Sequence, residues 1–326
     1  MLKIKRIGVL TSGGDSPGMN AAIRAIVRTG INNDLEVYGI MSGYQGLIKN
    51  QVSKMETSTV ANIIQRGGTI LKSARSEEFK TKEGREKALK NLKKHKIDAL
   101  VVIGGDGTFT GADIFSMEHD IPMIGLPGTI DNDLYGTDFT IGYDTALNNV
   151  VMATDKIRDT AMAHNRLFLI EVMGRDAGFI ALRGGIAAGA EDILIPETKT
   201  YISDLISKLK QSRRKNKMSG IIIVSEGDDA GGAYDIADKI KESYPEYEIR
   251  VTILGHIQRG GPPSCADRVL ASRLGYEAVR ALLKGRSGVM VGEIDNKIVY
   301  TPFENAIKQH HKINKPLLEM ARVLSI

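Results

Sequence analysis

The sequence predicts an α/β protein made of two doubly wound lobes with mainly parallel sheets. Three observations carry that expectation. Short apolar runs alternate with helical patterns along the chain, as where Ile7–Leu10 precedes the stripe Met19, Ile23, Ile26 and Val27. The runs are continuous, as in Ala99-Leu100-Val101-Val102-Ile103 and Ile221–Val224, which marks strands covered on both faces. There are more strand–helix units than one sheet comfortably holds, so two lobes with the active site in the cleft between them are expected.

Taken in order, Ile7–Leu10 reads as a buried strand broken by Thr11-Ser12-Gly13-Gly14. A helix follows, with Ser16 as N-cap, Pro17 as first residue and Gly30 as its end. Leu35–Ile40 is the next strand. The charged stretch 82–96 is a solvated helix, and the strand 99–103 after it ends in Gly104-Gly105-Asp106-Gly107. Met123–Leu126 is a short strand stopped by Pro127. A long helix covers 145–164, and a strand covers Leu167–Val172. Ala187–Ile195 leads into a strand that Pro196 ends. A basic helix over 203–217, the strand 221–224, a helix over 234–243, the strand Arg250–Leu254 and a helix over 266–284 complete the reading.

Composition narrows the function classes. Hydrophobic residues are 42% of 326, enough for real cores. The formal charge of +5 comes with no basic stripe or motif of a nucleic-acid binder, so no nucleic-acid partner is expected. No apolar run approaches the ~18–20 residues of a membrane span, so no membrane partner is expected. The one cysteine, Cys265, fits a reducing cytoplasm, lies in a predicted loop and receives no role. His310 and His311 read as exposed tail residues.

In open parallel sheets ligands bind beyond the carboxyl ends of strands. Three Gly-rich breaks occupy such ends: TSGGDSPG at 11–18, GGDGTFTGA at 104–112 and GLPGTIDNDLYGTD at 125–138. Glycines there admit phosphates to backbone N–H groups, and a following helix N-terminus favours negative charge. The first break alone is equally a simple turn. Asp106, between glycines at a strand end, suits Mg²⁺, which takes one or two carboxylates plus phosphate oxygens. The third break has three aspartates and no Lys or Arg, so it needs a cation from elsewhere. With a metal and polyphosphate beside it, Asp131 becomes a base for a substrate hydroxyl, and Asp133 orients or holds the metal through water. Arg166, Arg175, Arg250 and Arg259, all at strand ends facing one cleft, point to a phosphorylated substrate. Neither GxxxxGK[ST] nor a protein-kinase motif set is present.

These residues resemble one family along nearly the whole chain: IGVLTSGGDSPGMNAAIR, QRGGTILKSAR, VVIGGDGTFTGA, PGTIDND, IGYDTAL, EVMGRDAG, LGHIQRGG and DRVLASRLG are similar to ATP-dependent 6-phosphofructokinases of bacterial type. The resemblance implies a phosphofructokinase-like fold, with a larger ATP/Mg-binding lobe of 1–141 plus 257–307. A smaller fructose 6-phosphate-binding lobe would cover 142–256 plus 308–326. It implies a glycolytic transfer of the γ-phosphoryl of ATP to the 1-hydroxyl of fructose 6-phosphate. Gly14, Arg75, Ser76, Gly105, Gly107 and Thr108 would line the ATP site, with Asp106 on Mg²⁺. Asp131 would be the base, helped by Thr129, Arg175 and Asp133. Arg166, Met173, Gly174, Glu226, Arg250, His256 and Arg259 would hold the sugar phosphate, together with Thr129, Asp131 and Arg175. Arg166 and Arg250 would come from a neighbouring copy of a homotetramer.

The resemblance also separates rival functions. Pyrophosphate-using relatives tend to carry Asp at the position of Gly107 and Lys at that of Gly128, so the two glycines here favour the nucleotide. A lipid or NAD kinase shares GGDGT but lacks PGTIDND and GHIQRGG. A non-catalytic nucleotide sensor has no need of both Asp106 and Asp131. A second anionic site for ADP or phosphoenolpyruvate would use Arg24, Arg28, Arg158, Gly189, Glu191, Lys215 and Lys217. Thr57 and Ser219 stand there in place of a common Arg and His, so regulation through it is expected to be weak.

Overall fold

The computed structural model describes residues 4–164, 166–214, 220–245 and 247–324. In chain order its elements are β1 (Arg6–Thr11), α1 (Met19–Asn32), β2 (Glu36–Ile40), α2 (Gly43–Ile48), β3 (Val52–Met55), α3 (Lys82–His95), β4 (Ala99–Gly104), α4 (Asp106–His119), β5 (Met123–Pro127) and α5 (Tyr143–His164). There follow β6 (Leu167–Val172), α6 (Phe179–Ala187), β7 (Asp192–Leu194), α7 (Ile202–Arg214), β8 (Gly220–Ser225), α8 (Ala233–Ser243) and β9 (Ile249–Ile253). The last are α9 (Cys265–Leu283), β10 (Val289–Ile294), β11 (Lys297–Pro302), α10 (Phe303–Lys308) and α11 (Lys315–Leu324). The chain divides into two compact units. Met1–Ile130, Leu134–Thr145 and Arg259–His311 form the first; Asp131–Asp133, Ala146–Gln258 and Lys312–Ile326 form the second.

The first unit holds a seven-stranded sheet, β11-β10-β5-β4-β1-β2-β3, parallel except where β3 and β11 pair antiparallel at its edges. Successive residues serve opposite faces. Ile7, Val9, Val101 and Ile103 join the core that includes Ile23 and Ile26 of α1 and Leu274 and Ala278 of α9. Leu10, Leu100 and Val102 join Leu47, Leu92, Phe109 and Phe115 on the other side. Two covered faces are why the strands carry no polar alternation.

Several boundaries differ from expectation. Ser16 and Pro17 lie in the turn ahead of α1, whose N-cap is Gly18 at φ 108, with no side-chain cap bond. Gly30 lies inside that helix, where a Cβ would come within 2.6 Å of Val37 Cγ2, so close packing and not termination explains it. Cys265 is the first residue of α9 and not a loop residue; Ser264 caps that helix by accepting from Asp267 N at 3.2 Å. The basic helix α7 is described to Arg214, so the expected stretch to 217 lies outside the described residues.

Asp267 fastens α9 to the start of α5. Its carboxylate, on a residue 1% exposed, accepts from Gly142 N at 2.8 Å, Thr145 N at 2.8 Å and Thr145 Oγ1 at 2.5 Å. Burial pushes its carboxyl above the ordinary 3.8, against the pull of the Thr145 and Gly142 hydrogen bonds. The folded form therefore takes this proton at higher pH than the unfolded chain. The linked stability is present in acid and is lost as pH rises through the folded value. Asp267→Ala strands two backbone donors and a hydroxyl, and is expected to cost about 3 kcal/mol, read as a lowered denaturation midpoint. A midpoint equal to wild type would remove this fastening role.

The second unit is built on four parallel strands in the order β7-β8-β6-β9. Leu167, Leu169, Ile222, Val224 and Ile249 pack on Leu205 and Leu209 of α7 and Ile236 and Ile240 of α8. Because every strand runs the same way, one edge of the sheet collects carboxyl ends and the other amino ends.

Candidate active site

In the first unit, the carboxyl ends of β1, β4 and β5 carry the three Gly-rich segments, and hydrogen bonds tie them together. Ser12 N donates to Ile103 O at 3.0 Å, Gly128 N to Gly104 O at 3.0 Å, and Thr108 Oγ1 to Ser12 O at 3.1 Å. Gly104 leaves no room for a side chain: a Cβ there would lie 2.2 Å from Thr108 Oγ1 and 2.5 Å from Ser12 O. The segment 69–76 joins the set through Thr11 Oγ1 to Lys72 O at 2.8 Å and Ser73 Oγ to Gly13 O at 2.5 Å. Ser76 Oγ donates to Gln45 Oε1 at 2.7 Å, while Arg75 is exposed. Tyr44 stacks on Phe79 at 4.0 Å and donates its hydroxyl to Thr108 O at 2.6 Å. Burial pushes that phenol far above its ordinary value, so it stays a neutral donor.

Asp106 opens α4, half-buried, after the extended Gly105. Among the described residues no group of three or more His, Cys, Asp or Glu forms a metal cage. A single carboxylate beside glycines at a helix N-terminus still fits Mg²⁺, a hard ion that completes its shell with phosphate oxygens and water. Thr129 is buried and its carbonyl accepts from Thr140 Oγ1 at 2.6 Å. Arg259 turns its guanidinium onto TSGGDSPG, with Nη1 donating to Asp15 O at 3.0 Å and lying 3.0 Å from where a Cβ of Gly14 would be.

The second unit carries the acid and an arginine in contact. Asp131 is 2% exposed, and its Oδ2 lies 3.5 Å from Arg175 Nε. Asn132 beside it is buried at φ 55, with Asp133 half-buried. Arg175 itself sits at φ 52, a left-handed conformation that costs a non-glycine residue roughly 1–3 kcal/mol. Glu226 Oε1 helps hold it there, accepting from Arg175 N at 2.8 Å and Gly174 N at 3.2 Å. Gln258, fully buried, accepts from Met173 N at 3.2 Å through Oε1 and donates through Nε2 to Gly255 O at 3.0 Å. Sequence reading missed Gln258. Its only signal was a lone amide inside GHIQRGG, whose backbone partner is far off in sequence. His256 lies in the short turn Gly255–Arg259 after β9.

Not all four arginines face one place. Arg175 follows the carboxyl end of β6, but Arg166 precedes its amino end, and Arg250 is the second residue of β9, opposite Phe168. At about 3.3 Å per residue, the six-residue β6 puts roughly 20 Å between Arg166 and Met173–Arg175. The expectation of one shared edge fails because an arginine before a strand and one after it look alike in sequence.

Of the residues expected at a second anionic site, Arg24 is half-buried and Arg28 exposed on α1. Arg158 Nη2 donates to Ala188 O at 2.5 Å and Gly189 O at 2.9 Å, just past the end of α6, and its Nη1 lies 3.9 Å from Glu191. Glu191 also accepts from Ile221 N. Lys215, Lys217 and Ser219 lie outside the described residues.

With this geometry in place, comparison with known proteins gives one answer. The family model for phosphofructokinase matches residues 6–282. The ATP-dependent 6-phosphofructokinase 2 of Bacteroides thetaiotaomicron is 56% identical over 323 residues, 99% of each chain. The ATP-dependent 6-phosphofructokinase of Cytophaga hutchinsonii is 58% identical over 322 residues, 99% of this chain and 98% of that one. Among solved structures, phosphofructokinase from Saccharomyces cerevisiae superposes with a TM-score of 0.88 at 38% identity, covering 98% of this chain and 46% of the yeast chain. The chain belongs to the phosphofructokinase family.

Proposed function

We propose that this chain is an ATP-dependent 6-phosphofructokinase. It transfers the γ-phosphoryl of ATP to the 1-hydroxyl of fructose 6-phosphate and yields fructose 1,6-bisphosphate and ADP. The observation that carries this reading is full-length similarity, at 56% and 58% identity, to proteins so named. The first unit takes the nucleotide, with Gly14, Arg75, Ser76, Gly105, Gly107 and Thr108 around it. Asp106 would hold Mg²⁺, which when bound neutralises charge on the phosphates.

Phosphoryl transfer asks for position and charge compensation more than covalent chemistry. Asp131 takes the proton from the acceptor hydroxyl as its oxygen bonds to the γ-phosphorus and the bond to the β-phosphate oxygen breaks. Arg175, beside Asp131, and Thr129 stabilise the transferring group, and Asp133 supports the acid pair. Met173, Gly174 and Glu226 shape the acceptor pocket. His256 and Arg259 add donors for the sugar phosphate. The separation of about 20 Å along β6 supports a division of labour between copies, with Arg166 and Arg250 serving the site of a neighbouring chain in a homotetramer. The Arg24, Arg28, Arg158, Gly189, Glu191, Lys215 and Lys217 set is a weak effector site for ADP or phosphoenolpyruvate, and the cell compartment is the cytoplasm.

The direct test is fructose 6-phosphate-dependent turnover with each donor. ATP is expected to support fructose 1,6-bisphosphate formation and pyrophosphate to support none. Turnover with pyrophosphate equal to or above that with ATP overturns the nucleotide assignment.

A further inference from the structure

We propose that Glu248 is a positioning residue for the sugar-phosphate arginines Arg166 and Arg250. The inference rests on the reading above that these two guanidiniums bind the phosphate of the acceptor. Glu248 is the residue before β9, beside Arg166 where β6 and β9 begin their ladder at Leu167 and Ile249. Its carbonyl accepts from Leu167 N at 3.1 Å, which fixes its backbone to β6. Its Oε1 accepts from both arginines, from Arg166 Nε at 2.8 Å and from Arg250 Nη2 at 2.6 Å. One carboxylate oxygen thus holds two guanidiniums side by side.

Two like charges drawn together for a phosphate repel each other while it is absent, and both side chains are long and rich in rotamers. A carboxylate between them offsets the repulsion and removes rotamer freedom before the substrate arrives, so less ordering is left for binding to supply. The guanidinium carries five N–H donors, and each arginine spends one on Glu248, keeping the rest for phosphate oxygens. Within one chain the Glu248 side chain is 48% exposed, that of Arg250 52% and that of Arg166 25%. Exposed pairs add little to folding, so the effect of this contact belongs in substrate binding and not in the melting temperature.

The test is steady-state kinetics of the full-length enzyme. Glu248→Gln and Glu248→Ala are expected to raise KM for fructose 6-phosphate about tenfold, with kcat and KM for ATP within about twofold of wild type. Glu248→Asp, which keeps the charge on a shorter stem, is expected to fall between. An unchanged or lowered KM for fructose 6-phosphate in Glu248→Ala overturns the proposal, as does a lowered melting temperature with kcat and both KM values shifted together. Arg166→Ala, run alongside, separates the two layers. If it raises that KM while Glu248→Ala does not, only the role of Glu248 fails. If it leaves that KM unchanged, the phosphate-binding reading fails and this inference with it.

Discussion

Replacing Asp131 with serine is expected to lower kcat by at least about 10² while leaving KM for fructose 6-phosphate within a few-fold of wild type. The acid is nearly shut from solvent, at 2% exposed, yet lies 3.5 Å from the guanidinium of Arg175. A base so placed contributes only once a proton begins to move, so its loss appears in turnover and spares ground-state binding. Serine is smaller and brings no new charge. Arg175, 54% exposed on its side chain, can re-solvate when its partner is gone, so the fold should persist. In the proposed reading the sugar phosphate is held by other groups, His256, the Met173–Arg175 loop and the Arg166 and Arg250 side chains of a neighbouring chain, which is why the acceptor should still bind. A turnover within about threefold of wild type would refute the base assignment.

Gly107→Asp is expected to raise KM for ATP about tenfold or more, since a like charge a few ångströms away costs on the order of 1–3 kcal/mol near a protein surface. The structure makes this a clean electrostatic test. A Cβ at Gly107 meets nothing within 4 Å, so a side chain can start there without overpacking. Gly128→Lys is the contrasting case. A Cβ there would stand 2.8 Å from Ile103 Cγ2, 3.0 Å from Met19 Cε and 3.3 Å from Gly104 N. That overpacking is expected to cost about 1–3 kcal/mol of stability, so Gly128→Lys should lower the melting temperature where Gly107→Asp does not. An unchanged KM for ATP in Gly107→Asp, with the fold intact, counts against the nucleotide lying along this segment.

Two of the elements that sequence reading left out have separate physical causes. In α6, FIALRGGIA is apolar nearly all round, so no stripe marked it as a helix against the core. The hairpin of β10 and β11 turns through Asp295 and Asn296, both at positive φ, 49 and 61. That is the conformation of a type I′ turn, and Asp-Asn announces it less plainly than Asn-Gly does. Ser-Pro is a common helix opening and predicts that α1 starts at Ser16, whereas the left-handed Gly18 delays the first turn.

By itself the sequence determined the α/β class, the order of most strands along the chain and the placement of three Gly-rich segments at strand ends. Those properties are local: apolar runs, turn residues and acids sit within a few positions of one another. Only the tertiary structure decided that Asp131 meets Arg175, that Glu226 and Gln258 hold the loop between them, and that Arg166 and Arg250 share the carboxylate of Glu248 on the opposite edge of the sheet from Arg175. Each of those contacts joins residues from different strands or loops. Strand direction and register bring them together, and neither can be read from one segment alone.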